Sequence, residues 1–500
     1  MIRIRCIGSD GVREMDSEEG IPLLTILGKN GYNVYSPCGG RGLCGKCTVW
    51  VSGTGKVLSC RYYPVSDIEV ILPGDDEAQI LARQTEFLED FQFRPEPSSF
   101  HSPSPYGVAV DLGTTTVALY FLNLIDGAIE KISTFLNPQM RFGADIISRI
   151  TWCQENDTGL RDLQTVICAS MNSELETFLT ERDLDTRDIE KIVVAGNTTM
   201  LHLLLGEDPV SIALAPFTPV FTERQVRRGV SSGLNINPDG QLITLPCLSA
   251  YVGADIIAGL AVLKPLYQNY LFVDIGTNGE IALVAGDTVY ACSAAAGPAF
   301  EGASLSCGMA AVRGAVSAYS DDGRITVIGN TEPEGICGSG IVDIVAYLLR
   351  KGIVDESGFL KDSFVVYPGN NIMITRQDIR EIQLAKSAIF SGIRILMKHA
   401  GIGFEDIEAL FLAGGIGNYI NIDSAIALGL LPSELKNRIF PVGNSAGIGA
   451  VQNLRSDEHE KRMLRILENS RYVELSDAQD FPEEFAVNMY FPGPSGVDIA

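Results

Sequence analysis

VAVDLGTTTVALYF (residues 108–121) and LFVDIGTNGEIALV (residues 271–284) share one pattern: an apolar strand, Asp, one apolar residue, Gly, Thr, then a second apolar strand. Their aspartates, Asp111 and Asp274, stand 163 residues apart, a domain-sized interval. Two copies of one strand-turn-strand device at that separation predict a duplicated α/β architecture, two similar lobes facing a cleft. The turns also carry chemistry. A tight hairpin at Gly113 exposes backbone N–H groups, and Thr114, Thr115 and Thr116 add hydroxyl donors, a set suited to a phosphate chain. Asp111 at the strand end can hold a hydrated Mg²⁺ through water. Asp274, Gly276, Thr277, Asn278 and Gly279 offer the same from the opposite lobe. One such hairpin is more often an ordinary turn; the argument rests on two in register.

Further segments belong to the same cleft. In EALFLAGGIGNY (408–419) an apolar strand runs into Gly414, Gly415, Gly417 and Asn418, where the backbone can approach a flat ring or a sugar. VVAGNTTM (193–200), with Asn197, and VGNSAGIGAV (442–451), with Gly447 and Gly449, bring small residues that let two lobes close about a hinge. GICGSG (335–340) lacks the full nucleophile elbow and reads as a close-packed turn or as backbone near the ligand. Glu301 in AFEGA reads equally as a contact to the ligand's ribose or ring and as a surface carboxylate. Asp145 and Asp255 read first as caps of the helices that follow them, and second as bases for an acceptor.

Upstream lies a different composition. MIRIRCI and GVREM pair as a hairpin, PLLTILGKNGY has helical apolar spacing and ends on glycine, and TVWVSG and DIEVILP read as strands. Between the helix and these strands falls SPCGGRGLCGKCTVWVSGTGKVLSC, in which Cys38, Cys44, Cys47 and Cys60 are spaced C-x5-C-x2-C-x12-C. Its glycines let the loop curl so that thiolates and N–H groups converge on one centre. This is close to the C-x4-C-x2-C of plant-type [2Fe–2S] ferredoxins, with one extra residue in the first gap and a short last one. A zinc knuckle shares the C-x2-C, but zinc ribbons present two such pairs. Cys153, Cys168, Cys247, Cys292, Cys307 and Cys337 show no ligand spacing and read as small apolar fillers, like Cys6 in its strand. Residues 91–105 hold four prolines and four serines, an extended linker. The divisions are therefore 1–90, linker 91–105, first lobe 106–270 and second lobe 271–500.

The 500 residues are 46% hydrophobic and 20% charged, which excludes a disordered chain or a disulfide-stapled miniprotein. The net charge of −24, with no basic run, repels phosphate backbones, so nucleic acid is not an expected partner. No apolar run reaches the span of a bilayer, and the N-terminus lacks a signal-peptide core. The expectation is a cytoplasmic protein with reduced thiols and no membrane partner. The four histidines lack paired spacing, which argues against a zinc hydrolase.

Together these segments resemble the acetate and sugar kinase, Hsp70 and actin superfamily. Asp111–Thr116 match its first phosphate loop, Asp274–Gly279 its second, and Gly414–Gly417 its adenosine loop, with Asn197 and the glycines 447 and 449 near the interlobe connections. DLGTTT, AGNTTM, DIGTNGE, AAGPAFEG, GICGSG and AGGIGN in this order, behind a cysteine-bearing N-terminal unit, are similar to the reductive activators of corrinoid proteins over essentially the whole chain. The resemblance implies an α+β β-grasp [2Fe–2S] ferredoxin domain followed by a duplicated ribonuclease H-like, actin/Hsp70-type ATPase. It implies an electron passed from the cluster to a Co(II) corrinoid protein, giving Co(I) for anaerobic methyl transfer, driven by Mg²⁺-ATP. The implied partners are that corrinoid protein and a low-potential electron donor, and a homodimer is allowed. Relatives often carry a further domain between ferredoxin and ATPase, and the expectation here is that the linker 91–105 replaces it. The alternatives are a redox-regulated small-molecule kinase and an electron carrier that senses ATP.

Overall fold

The computed structural model describes residues 2–8, 11–30, 32, 34, 40, 42, 47–71, 86–94, 102–417 and 419–493. In the N-terminal part, β1 (Ile2–Gly8), β2 (Gly11–Ser17), β3 (Thr48–Val51), β4 (Gly55–Leu58) and β5 (Ile68–Ile71) form one sheet of order β2-β1-β5-β3-β4. β1 runs antiparallel to β2 and parallel to β5. The helix Leu23–Lys29 buries Leu23, Ile26 and Leu27, spaced three and one apart on one stripe, against Ile4, Cys6, Val49, Val51 and Val70.

The larger part holds two six-stranded sheets built alike. The first contains β6 (Tyr106–Leu112), β7 (Thr116–Asn123), β8 (Ile129–Leu136), β9 (Ile189–Gly196), β10 (Gln225–Arg228) and β11 (Gln241–Thr244), in the order β10-β11-β9-β6-β7-β8. The second begins with β12 (Asn269–Ile275), β13 (Gly279–Ala285) and β14 (Thr288–Ala294). Two small sheets intervene: β15 (Ala315–Tyr319), β16 (Ile325–Val327) and β17 (Gly335–Ile336), then β18 (Phe364–Tyr367) and β19 (Ile372–Ile374). β20 (Ala409–Ala413), β21 (Ile439–Gly443) and β22 (Ser470–Tyr472) complete the order β21-β20-β12-β13-β14-β22. β6 and β12 hold the same place: each pairs antiparallel with the strand after its turn and parallel with a strand from much later, β9 or β20. Covered on both faces, they read as near-continuous apolar runs. The duplication expected from sequence is present as a five-strand order common to both sheets, β11-β9-β6-β7-β8 and β21-β20-β12-β13-β14, with the sixth strand on opposite edges.

Two features join the lobes. The helix Ser445–Arg455 leaves β21 of the second sheet yet packs on β6 and β9 of the first, and against the helix Ala254–Ala261. Its glycines are what allow this: a Cβ on Gly449 would meet the Ala258 carbonyl carbon at 2.7 Å, and one on Gly447 the Tyr120 ring at 2.7 Å. The other feature is a strap at 87–94. Leu88 bridges to Leu263, Glu89 N donates to Val262 O at 2.8 Å, and Phe91 N donates to Gln452 Oε1 at 3.1 Å. Leu88 and Phe91 are buried there, so the end of the stretch assigned by sequence to the first unit, and the start of the linker, lie on the two-lobed body. No helix among the described residues is long and apolar enough to cross a membrane.

Candidate functional site

Both aspartates sit at the ends of their strands, where the pleat carries them to the cleft. Asp111 lies opposite Ala118 and Ala195, whereas Asp274 lies opposite Ala413 and Glu280. That last pairing sets two carboxylates on one face of adjacent strands, an arrangement that repels. Asp255 joins them from the first turn of the helix Ala254–Ala261. It is not the cap the sequence suggested. The cap is Gly253, against which a Cβ would overlap Asn197, while Asp255 Oδ1 accepts from Ile256 N at 2.9 Å. Asp145, by contrast, is a true cap, accepting from Ser148 N at 2.8 Å in a capping box.

The cleft floor thus gathers Asp111, Asp255, Asp274, Glu280 and Glu301, half-buried and crowded by protein atoms. Burial, then mutual repulsion, pushes Asp274 up to about 8 and Asp111 to about 7. For Asp111 the Asn444 side chain pulls the other way. Burial raises Asp255 to about 6 and lifts Glu280 well above the ordinary range. No ion pair among the described residues neutralises the group, and no three of its members converge as direct metal ligands. Arg149 acts on Glu301 from behind the first turn, but Asp111, Asp255, Asp274 and Glu280 have no ion-pair partner among the described residues, and a hydrated cation bearing phosphates would supply one.

The turns themselves are held from behind. Arg149, fully buried, donates through Nη2 to Thr114 O at 2.6 Å, through Nε to Gly143 O at 3.0 Å and through Nη1 to Gln139 Oε1 at 3.2 Å. Asn137 donates its amide to Gly113 O at 2.8 Å and its backbone N–H to Thr115 O at 2.8 Å. Asn197 caps the helix Thr198–Leu205 and donates to Thr114 Oγ1 at 3.0 Å. In the second turn Gly276 N donates to Asn278 O at 3.0 Å, and Thr277 Oγ1 donates to Glu301 Oε2 at 2.6 Å. Gly279 serves packing, since a Cβ there would press on Ile389. Gly414, at φ +79°, lies so close to Asp274 Oδ1 that any side chain would collide with it, while Gly415 faces open space. Asn418 lies outside the described residues.

Sequence reading located the two turns, Asn197 and the glycine loop. It missed Arg149 and Asn137, which sit in no quoted motif, and it assigned no role to Asn444 or Glu280, although these lie within the quoted VGNSAGIGAV and LFVDIGTNGEIALV. GICGSG is the close-packed turn: side chains at Gly338 and Gly340 would overlap Phe300 O and Val316 O. Burial raises the thiols of Cys6 and Cys168 to about 11 and Cys247 to about 12, consistent with protonated apolar fillers.

Of the four spaced cysteines, Cys38 and Cys44 lie outside the described residues. Cys47 and Cys60 are buried, and Ser59 joins them: its N–H and its hydroxyl both donate to Cys47 O at 2.8 Å. Gly40 and Gly42 take φ of +78° and +74°, and a Cβ at Gly40 would lie 3.9 Å from Cys60 Cβ. Two buried soft thiols beside glycines held at positive φ fit a sulfur-ligated cluster.

The carboxylates set the pH response. A carboxyl whose folded pKa exceeds its unfolded value stabilises the fold fully below about pH 4 and loses that contribution as pH rises through the folded value. Lys386, pushed down to about 7 by burial, has the opposite sign. We therefore expect Asp274→Asn to gain stability relative to the parent as pH rises from about 5 to 8.5 without nucleotide. Urea midpoints across that range test this; parallel curves would contradict it.

Comparison with known proteins gives the following. The family described as the C-terminal domain of RACo, the ASKHA domain, matches residues 268–496, and the RACo middle region matches 106–267. The first lobe therefore corresponds to the middle region of that family. The corrinoid activation enzyme RamQ of Eubacterium limosum is 36% identical over 425 residues, 79% of this chain and 72% of that one. The [Co(II) methylated amine-specific corrinoid protein] reductase of Methanosarcina barkeri is 27% identical over 68% of each chain. A solved structure described as a reductive activator for corrinoid, iron-sulfur protein has TM-score 0.71 and 29% identity over 98% of both chains.

Proposed function

This chain belongs to the family of corrinoid-protein reductive activators, and we propose from that premise that it reduces a Co(II) corrinoid protein to Co(I) at the expense of ATP. The observation that carries the nucleotide half is the pair of D-x-G-T turns facing one carboxylate-lined cleft. Thr114–Thr116 and Gly113 would hold one part of the phosphate chain, and Gly276–Asn278 the other. Asp111 and Asp274 would orient a hydrated Mg²⁺ through its waters, with Asp255 and Glu280 deepening the negative potential. Gly414, Gly415 and Gly417, with Asn418, would admit the adenosine. Arg149, Asn137 and Asn197 keep the first turn in shape, and Asn197 would also serve the nucleotide site.

For the redox half, the N-terminal sheet and its cysteine loop support a β-grasp ferredoxin unit, in which Cys38, Cys44, Cys47 and Cys60 would hold a [2Fe–2S] cluster. When bound, such a cluster supplies a one-electron relay at about −400 mV. Nucleotide-dependent coupling of about 1–3 kcal/mol would shift a one-electron equilibrium by roughly 40–130 mV. A nucleotide that binds the complex more tightly after electron transfer than before it would tip an unfavourable transfer by that amount. The proposed setting is the cytoplasm, with a low-potential reductant as donor. A kinase reading is disfavoured because Asp145, one of its two candidate bases, serves as a helix cap.

Cys47→Ser should abolish Co(I) formation and most visible absorbance of the reconstituted protein, while nucleotide binding stays within about twofold of the parent. Unchanged absorbance would remove Cys47 from the cluster. The overall reading is tested by ATP turnover with and without a Co(II) corrinoid protein: stimulation supports an activator, whereas stimulation only by a small-molecule acceptor identifies a kinase.

A further inference from the structure

We propose that Glu301 is an interlobe clasp, which ties the two phosphate loops together in the nucleotide-free protein and must be released by an incoming polyphosphate. The inference rests on the phosphate-loop reading above and adds a role for a residue outside those loops. Thr115, from the first turn, donates its hydroxyl to Glu301 Oε1 at 3.2 Å, across 186 residues of chain. Thr277, from the second turn, donates to Oε2 of the same carboxylate at 2.6 Å. One side chain therefore bridges both lobes at the hydroxyls assigned to the nucleotide.

Each hydroxyl has a single proton to give. It can donate to the carboxylate or to a phosphate oxygen, not to both. The two acceptors are also both anions in a partly desolvated cleft, where they repel. Occupancy by carboxylate and by phosphate is therefore exclusive, and nucleotide entry breaks two bonds that span the lobes.

The backbone presents Glu301 firmly. Its N–H donates to Pro298 O at 3.2 Å, Gly302 N donates to Ala299 O at 3.0 Å, and Gly302 takes φ +76° with no room for a Cβ beside Met309. Gly338 packs directly on Phe300 O. Only side-chain rotation or a relative shift of the lobes can free the carboxylate. Burial raises the Glu301 carboxyl above its ordinary range, while the hydroxyls of Thr277 and Thr115 and the buried Arg149, which supports the first loop through Thr114 O, favour its charged form. The clasp also selects its ligand: a lone phosphate can satisfy one loop, whereas a di- or triphosphate satisfies both and repays both broken bonds.

The test compares the full-length parent with Glu301→Ala and the near-isosteric Glu301→Gln, by calorimetric titration with Mg²⁺-ATP, Mg²⁺-ADP and inorganic phosphate. Hydrogen exchange of 113–116 and 276–279 is followed without nucleotide. The clasp predicts ATP and ADP binding about tenfold tighter in both variants, a change that structural damage would not produce. It also predicts faster exchange at both turns in Glu301→Ala, and phosphate binding detectable only in the variants. Weaker nucleotide binding with unchanged exchange would overturn it, making Glu301 a nucleotide contact. Unchanged affinity and exchange would overturn it as well, leaving the phosphate-loop reading intact. Failure of all three proteins to bind nucleotide would overturn that reading and, with it, the clasp.

Discussion

Asp274→Asn is expected to lower ATP hydrolysis by at least about 10³-fold, roughly 4 kcal/mol of transition-state stabilisation, while leaving the visible spectrum of the reconstituted protein unchanged. Asparagine keeps the shape and one acceptor but removes the charge that orients the hydrated cation. The same substitution should stabilise the nucleotide-free protein at pH 8, because Asp274 faces Glu280 across the strands and feels Asp255, Asp111 and Glu301. Opposite signs for activity and stability mark a residue kept for chemistry and not for the fold. Hydrolysis is read by phosphate release and stability by urea midpoint. Normal turnover in the variant would show that the cleft is misassigned.

The second large effect is expected at Arg149. Arg149→Met fits the volume but leaves Thr114 O and Gly143 O without their donor in a closed interior. We expect a loss of about 3 kcal/mol of stability and at least about tenfold weaker nucleotide binding. Arg149→Lys should recover part of the stability and little of the binding, since an ammonium cannot span three acceptors in one plane. Burial holds the Arg149 guanidinium down at about 9, with Asp145 and Glu301 pulling it back up. Its charge at neutral pH is therefore supported across the cleft as well as from its own helix. A methionine variant with parental stability and nucleotide affinity would show that the first turn holds itself.

What sequence could show here was whatever repeats locally. The D-x-G-T turns were legible because a strand, a turn and its partner strand are contiguous, and because the device occurs twice. The helix Leu23–Lys29, the cap at Asp145 and the β1–β2 hairpin were legible because each is local, whereas β4 and the pairing of β5 with β1 and β3 were not. The residues that complete the cleft come from far apart in the chain. Glu301 reaches Thr115 across 186 positions, and Arg149 reaches Thr114 across 35. No periodicity records such a contact. Asp255 was misplaced as a cap because an Asp at a helix start suits the cap and the first turn alike, and only Gly253 packing on Asn197 decides between them. The strap was obscured by composition: the prolines and serines after residue 94 masked Phe87, Leu88 and Phe91, whose apolar side chains belong to the body of the protein.

Five carboxylates and two hydroxyl-bearing turns make a cleft that favours a cation-bound polyphosphate, and the same turns are bridged across the lobes. On the proposed reading, nucleotide occupancy would change how the lobes are joined, and the helix Ser445–Arg455, rooted in one sheet and packed on the other, lies at that junction. The most direct measurement of the central claim mixes the anaerobically reconstituted protein with a Co(II) corrinoid protein and a low-potential reductant, and follows the visible spectrum with and without Mg²⁺-ATP. The account predicts Co(I) only when ATP is present, and none with Asp274→Asn or Cys47→Ser. Co(I) forming equally without ATP would contradict it.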